Sequence, residues 1–326
     1  MSAARSTSLA GMRVLVTGAG GFIGSHLVRR LHGQGIAVTA LDRESGRLGT
    51  MAPLANFVAC DLRNAESVRR AVQQVRPQVV FHLAAHPDGK ESGEQTYSTL
   101  GVNVQATAHL LEALRELPAV SLVYGCSSKV YGNTGVPYHS GLPMEPLSSY
   151  AVSKLAGWGL VDVYRRVHGI QAVALRPTLV YGPGQAFNIF TFLCKAVAEG
   201  REQIELDGGS QTRDPLYIDD AISAFIAAAE HCGALNGQAL PIGGGREISV
   251  GEMAELAVSL LGGRQKVVCR PANVRPTEML RSWCDNAEAH KALGWEPQVS
   301  LDEGILRTAE SLGVAPQAEL FAPQQS

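Results

Sequence analysis

The chain has 326 residues, with 28 Lys and Arg against 30 Asp and Glu and a formal charge of −2, so no electrostatic track for a nucleic-acid partner is expected. Hydrophobic residues make up 45% and charged residues 18%, with 35 glycines; this excludes a disordered or fibrous chain and fits one large α/β domain or a core plus a smaller lobe. Apolar stretches such as AISAFIAAA (221–229) are too short to cross a bilayer and the start MSAARSTSLAG lacks a secretory apolar core, so a cytoplasmic protein without a membrane partner is expected.

From residue 13 the sequence alternates short β-branched runs with amphipathic stretches, the pattern of βαβ units and a parallel sheet. RVLVT (13–17) reads as the first strand and 22–32 as the helix after it, with TGAGGFIG (17–24) at the junction. Glycine there permits a tight turn, close approach of backbone to a pyrophosphate and close helix packing, and a helix N-terminus favours anions. Gly18, Gly21, Phe22, Ile23 and Gly24 are therefore candidate cofactor residues. The second strand, IAVTAL (36–41), runs into Asp42 and Arg43, at the spacing where a carboxylate takes ribose hydroxyls. Asp42 would repel a 2′-phosphate and so points to NAD, while Arg43 could accept that phosphate.

NFVAC (56–60) leads to Asp61 and Leu62, candidates for contact with adenine, and then to a helix over 65–75. QVVFHLA (78–84) ends at Leu83, Ala84 and Ala85, small or apolar side chains beside the cofactor, before a helix over 102–116. VSLVYGC (120–126) delivers Ser127, Ser128 and Lys129 to the strand ends, the crevice where such sheets bind ligands. In the next helix, 148–168, Tyr150 and Lys154 are four residues apart and share a face. A lysine cation near a phenol favours phenolate, as a general base acting on a hydroxyl requires, and Ser127 can hydrogen-bond the same oxygen.

QAVALR (171–176) completes six strands of a doubly wound sheet. After Pro183 the pattern changes to shorter helices and isolated strands, with ALPIGG (239–244) able to return to the sheet. The fold expected is α/β: a doubly wound parallel Rossmann sheet over 11–180 with a return segment near 219–245, a smaller, interleaved C-terminal substrate lobe over 181–318, and loose tails at 1–10 and 319–326. Cys60, Cys126, Cys194, Cys232, Cys269 and Cys284 show no CxxC or histidine spacing for a metal site, so buried thiols without disulfides and no metal are expected.

Together, TGAGGFIG, LDR, CDL, HLAA, VNVQAT, SSKVYG, YAVSK, LRPTLVYGPG, GGSQTRDPLYIDDA, GGGREISVGEMAELA, ALGWEP and LDEGI resemble the extended short-chain dehydrogenase/reductases of the NAD-dependent nucleotide-sugar epimerase/dehydratase family over nearly the whole chain. The resemblance implies NAD as cofactor, a nucleotide-diphosphate sugar as substrate, catalysis by Ser127, Tyr150 and Lys154, and a homodimer through 102–116 and 148–168. It selects Ser127, four residues before the tyrosine of Val-Tyr-Gly, over Ser128. It also implies that Arg213 and Arg275 hold phosphates, a task that suits bidentate guanidinium. Ser128, Lys129 and Asn188 are further substrate-side candidates.

Two positions depart from the family pattern. Leu179 stands where many members carry Asn before Tyr-Gly-Pro, which removes a polar contact. Ser128 and Lys129 stand where 4,6-dehydratases carry Asp-Glu, which disfavours loss of water. The expected activity is NAD-dependent 4-epimerisation through a transient 4-keto sugar. A 4-ketoreductase, a dehydratase and a uronate decarboxylase are the alternatives, with a non-catalytic NAD-sensing protein as the remote one. Lys129 is expected over the C5/C6 side of the sugar, where it would favour a C6 carboxylate.

Overall fold

A computed structural model describes residues 7–43, 53–86, 93–275 and 277–314. Its centre is a parallel sheet of seven strands: β1 (Val14–Thr17), β2 (Val38–Asp42), β3 (Asn56–Ala59), β4 (Val79–His82), β5 (Ser121–Gly125), β6 (Gln171–Pro177) and a later return strand, Ala239–Ile242. In space β1 lies between β2 and β4, with Thr17 level with Leu41 and His82. The strand order therefore reverses at β1, and the crevice beyond the ends of β1 and β4 is the expected ligand position.

Because side chains alternate across a strand, each strand feeds two cores. Val14, Val16, Phe81 and Val123 point to one, and Leu15, Val80, Leu122 and Tyr124 to the other. The first core is covered by α1 (Phe22–Gly33), the second by α2 (Ala65–Val75) and two further helices. The helix expected over 102–116 differs: α3 (Gly93–Leu100) runs through a π-helical turn at 101–105 into α4 (Ala106–Leu114). The wider turn places Asn103 inside, at 1% exposure. After β5 comes α5 (Ser149–His168), whose first turn is capped by Ser148 accepting the Ala151 N–H at 3.2 Å.

Beyond β6 the strands are short. β7 (Leu179–Tyr181), α6 (Ile189–Ala198), β8 (Gln203–Asp207), β9 (Thr212–Arg213) and β10 (Pro215–Tyr217) lead into α7 (Ile218–Glu230), which packs against α1 and hands the chain to the seventh sheet strand, β11 (Ala239–Ile242). Then follow β12 (Ile248–Ser249), α8 (Val250–Leu260), β13 (Lys266–Arg270), α9 (Ala287–Leu293) and α10 (Leu301–Ser311). The pairs β7–β10, β9–β12 and β8–β13 build a platform over the sheet ends.

Two expectations need correction. Residues 7–10 are not loose: Leu9 is buried, and the Thr7 N–H donates to the Glu230 carbonyl at 2.8 Å. Cys269 is exposed, whereas the other five cysteines are buried and all six are free thiols. The C-terminal tail expected at 319–326 lies outside the described residues.

The last segment is fastened by Asp220, which opens α7 and accepts the N–H groups of Gln298 and Val299, both at 3.0 Å. Asp220→Ala would remove the acceptor of two partly buried N–H groups, at a cost of about 0.5–1.5 kcal/mol each. A lowered urea midpoint with the slope of the transition unchanged is the expected result.

Candidate active site

The turn after β1 is pressed against the end of β4. Gly18 has φ +68°, and a Cβ there would lie 2.6 Å from backbone atoms of Ala84; a Cβ on Gly24 would lie 2.2 Å from the Gly18 carbonyl oxygen. Asp42 closes the same turn from β2: one carboxylate oxygen accepts the Gly20 N–H at 2.8 Å and the other the Arg43 N–H at 2.7 Å. Each oxygen keeps a lone pair for another donor. Beside this turn lies a cavity of about 560 Å³ lined by Gly18, Gly20, Gly21, Asp42, Arg43, Asp61, Leu62, Arg63, Leu83, Ala84, Ala85 and His86, among others.

A directed chain of hydrogen bonds holds its floor. The Ala84 N–H donates to Thr17 Oγ1 at 3.3 Å, Thr17 meets His82 Nδ1 at 2.7 Å, His82 Nε2 meets Thr107 Oγ1 at 2.9 Å, and Thr107 donates to the Asn103 carbonyl at 2.7 Å. Since Thr107 spends its proton on a carbonyl, His82 must carry its hydrogen on Nε2. Burial, and then the Lys154 cation, lower the His82 pKa to about 3; the imidazole stays neutral and the chain keeps one direction.

Lys154 is 3% exposed. Its Nζ donates to the Gly125 carbonyl at the end of β5 at 2.6 Å, and lies 5.3 Å from the Tyr124 ring centroid and 6.0 Å from that of Tyr150. Burial lowers its pKa to about 8. The Nζ of Lys129 lies 5.8 Å from the same Tyr150 ring. Ser127 is buried at the start of the turn after β5, its Oγ accepting the Lys129 N–H at 3.2 Å. α5 reaches this position because residue 157 is glycine: a Cβ there would stand 2.1 Å from Tyr124 Oη.

Asn103 joins these parts. Its Oδ1 accepts the His86 N–H at 2.6 Å, and its Nδ2 donates to Ser153 Oγ at 2.8 Å, which in turn donates to the Tyr150 carbonyl at 2.7 Å. The loop beside the first cavity and the helix bearing Tyr150 are thus set by one buried amide. Arg176 supports the Ser127 turn from β6, donating to Tyr131 Oη at 2.8 Å.

A second cavity, of about 530 Å³, opens on the other side and is lined by Ser127, Ser128, Lys129, Thr178, Leu179, Phe187, Arg213, Arg275 and Glu278, among others. Arg213 pairs with Glu278 and donates to the Met279 carbonyl at 2.8 Å. The exposed Arg275 meets the other Glu278 oxygen at 3.3 Å. Among the described lining residues, Lys129, Arg213 and Arg275 are the cations and Glu278 the carboxylate.

Comparison with known proteins matches residues 14–243 to the NAD dependent epimerase/dehydratase family. The chain is 35% identical over 311 residues to a UDP-glucose 4-epimerase of Mycolicibacterium smegmatis, covering 92% of this chain and 98% of that one. This protein is a member of the NAD-dependent epimerase/dehydratase family. Among solved structures it superposes, with TM-score 0.84 and 30% identity, on a UDP-glucuronic acid 4-epimerase from Bacillus cereus in complex with UDP-glucuronic acid and NAD, over 92% of this chain and 98% of that one. A UDP-glucose 4-epimerase from Thermotoga maritima with UDP-glucose gives TM-score 0.84 at 28% identity and the same coverage.

The first cavity fits the cofactor of this family. Its glycine turn leaves no room for a Cβ where backbone must approach a pyrophosphate, and Asp42 presents a carboxylate where a 2′-phosphate would be repelled. Of the residues expected at the cofactor, Phe22, Ile23 and Gly24 form the first turn of α1 and are not among the cavity's lining residues, and Gly24 packs the helix onto the turn. Asn188 is placed differently from the rest: it caps α6, accepting the Thr191 N–H at 2.7 Å in a reciprocal capping box, and does not line the second cavity. The sequence reading gave no role to Asn103, His82, Phe187 or Glu278. Asn103, inside VNVQAT, and His82, inside HLAA, carried a local signal.

Lys154 sets a stability prediction. Its folded-state pKa is below that of an unfolded lysine, so the folded protein binds fewer protons between about pH 8 and 10.5. The cost of burying the cation is therefore full below pH 8 and falls as pH rises above it. Thermal melts of Lys154→Met and wild type are expected to show the variant's relative stability highest near pH 7 and declining toward pH 10.

Proposed function

We propose that this protein is a UDP-sugar 4-epimerase that keeps NAD in the first cavity and takes the sugar nucleotide into the second. The observation that carries this reading is that Ser127 and Lys129 line the second cavity and that the Tyr150 ring centroid lies within 6.0 Å of the ammonium groups of both Lys129 and Lys154. In this reading residues 11–180, with the return near 219–245, form the cofactor domain, and 181–318 are mainly the substrate lobe.

Two nearby cations stabilise a phenolate, so Tyr150 is equipped to take the proton of the sugar 4-hydroxyl, and Ser127 to hydrogen-bond the same oxygen as it becomes a carbonyl. NAD, when bound, supplies the acceptor and then the donor of the C4 hydride. Lys154 donates to the Gly125 carbonyl, an acceptor that carries no negative charge to neutralise the ammonium. Arg213 and Arg275 meet the diphosphate, whose charge balances the surplus of the cavity. Ser128 and Lys129 replace the acid pair that elimination of water requires, which favours epimerisation over dehydration. The six free thiols support a reducing, cytoplasmic setting.

We also infer a homodimer through α5. Val152, Val163 and Val167 on this helix are 45%, 42% and 67% exposed, and Tyr97 on the adjoining α3 is 78% exposed. These apolar side chains form a face that a second copy would cover. Val163→Glu is expected to shift the sedimentation coefficient to that of a monomer; an unchanged value would refute this interface.

The activity is tested by incubating the protein with UDP-glucose or UDP-glucuronic acid without added nicotinamide and analysing the sugars. The 4-epimer should form without net NAD reduction, and Tyr150→Phe should lower kcat by about a thousandfold or more. With Lys154 losing its proton near pH 8, kcat should fall on the alkaline side of that value. A strict need for added NADH would replace this reading with a reductase.

A further inference from the structure

The second cavity contains a feature that the chemistry above leaves unused. Phe187 lines it and is 85% exposed. A phenyl ring left in water is unfavourable unless something covers it, and with Leu147, Leu179 and Met279 it supplies the large apolar side chains of the lining.

The loop that carries Phe187 is held at both ends. At its far end Asn188 and Thr191 form the capping box of α6. At its near end the Pro183 carbonyl accepts a hydrogen bond at 2.9 Å from Nε2 of His26, 157 residues away in sequence. His26 belongs to α1, whose N-terminus adjoins the cofactor cavity. It lies one turn beyond Phe22, whose ring it meets edge-on with centroids 5.5 Å apart. Gly184 follows with φ +82°, and a Cβ there would lie 3.8 Å from the same Nε2. Burial lowers the His26 pKa, with Arg29 on its own helix and Asp219 on α7 as the neighbouring charges. The Pro183 oxygen only accepts, so Nε2 carries hydrogen in the neutral ring as well as in the charged one, and the bond persists across the working pH range.

We propose that His26 is a positioning residue for the substrate: it ties the 183–188 loop to the cofactor helix and so holds Phe187 where its ring covers the bound sugar nucleotide. The inference rests on reading the second cavity as the sugar-nucleotide site. Phe187 is then a binding residue, and His26 acts only through it. The tie also makes the fit of the substrate depend on a helix whose N-cap, Gly21, lines the cofactor cavity.

The test uses the holoprotein, measuring KM and kcat, the Kd for UDP-glucose by calorimetry, and bound NAD per chain. His26→Ala is expected to raise KM and Kd about tenfold, with kcat within about twofold and NAD content unchanged. His26→Gln, whose amide N–H can reach the same carbonyl, should restore most of the affinity. Phe187→Ala should show the same loss, and the double variant should be no worse than about the larger single effect, because both act through one contact. Effects that multiply to about a hundredfold in the double variant, or wild-type affinity in His26→Ala, would overturn the proposal. Phe187→Ala alters an exposed side chain and keeps the test open if His26→Ala does not fold: wild-type affinity there also overturns it. A wild type that binds UDP-glucose but turns over no sugar would refute the epimerase reading alone, leaving the Kd comparison to decide this one. A wild type that binds neither UDP-glucose nor UDP-glucuronic acid refutes both.

Discussion

The rest of the site depends on one buried ammonium. Among the described residues Lys154 meets one hydrogen-bond acceptor, the Gly125 carbonyl at the end of β5, and burial moves its pKa down to about 8. Taking a cation out of water without a counter-charge is costly, and the neighbouring residues are arranged to tolerate it. The rings of Tyr124 and Tyr150 offer π-faces within 6.0 Å, a contact that attracts cations. His82 is kept neutral, so its imidazole adds no positive charge beside Lys154. A well-packed apolar side chain would serve the fold better, which makes Lys154 a residue kept for its charge.

The positions around it follow from backbone geometry. Parallel pairing of β1 with β2 and β4 opens the crevice, and Gly18 allows the first turn to touch the end of β4. Gly157 allows α5 to descend onto Tyr124, bringing Tyr150 over the crevice. The π-helical turn at 101–105 turns Asn103 inward, where one amide joins the loop at His86 to the helix at Ser153. The loop at His86 and the helix bearing Tyr150 therefore cannot shift independently without breaking a buried hydrogen bond.

The second cavity is put together differently. Its charged residues come from short pairings and a connecting segment, and Glu278 holds Arg213 and Arg275 together. A carboxylate between two guanidinium groups keeps them close while the described lining stays positive. Leu179 and Phe187 are among the apolar residues of its lining. A ligand with a charged centre and an apolar face matches such a surface, as a nucleotide diphosphate attached to a sugar does.

What could be read from the sequence was local. Alternation of apolar residues in VLVT and VVFH marks buried strands, TGAGGFIG marks a strand-to-helix turn, and four residues between Tyr150 and Lys154 place both on one helical face. Each signal lies within one or two turns of chain, where backbone periodicity alone sets direction. What the tertiary structure decided joins residues far apart in sequence. His82 meets Thr107, Arg213 meets Glu278, and His26 meets Pro183, and no local pattern distinguishes these side chains from solvated ones. Asn188 shows the same limit from the other side: a polar residue near a cavity reads as a ligand contact, but the helix beginning beside it needs a cap, and the nearer backbone N–H claims its side chain. Periodicity decides which way a side chain points from its own backbone; only packing of the whole chain decides what it finds there.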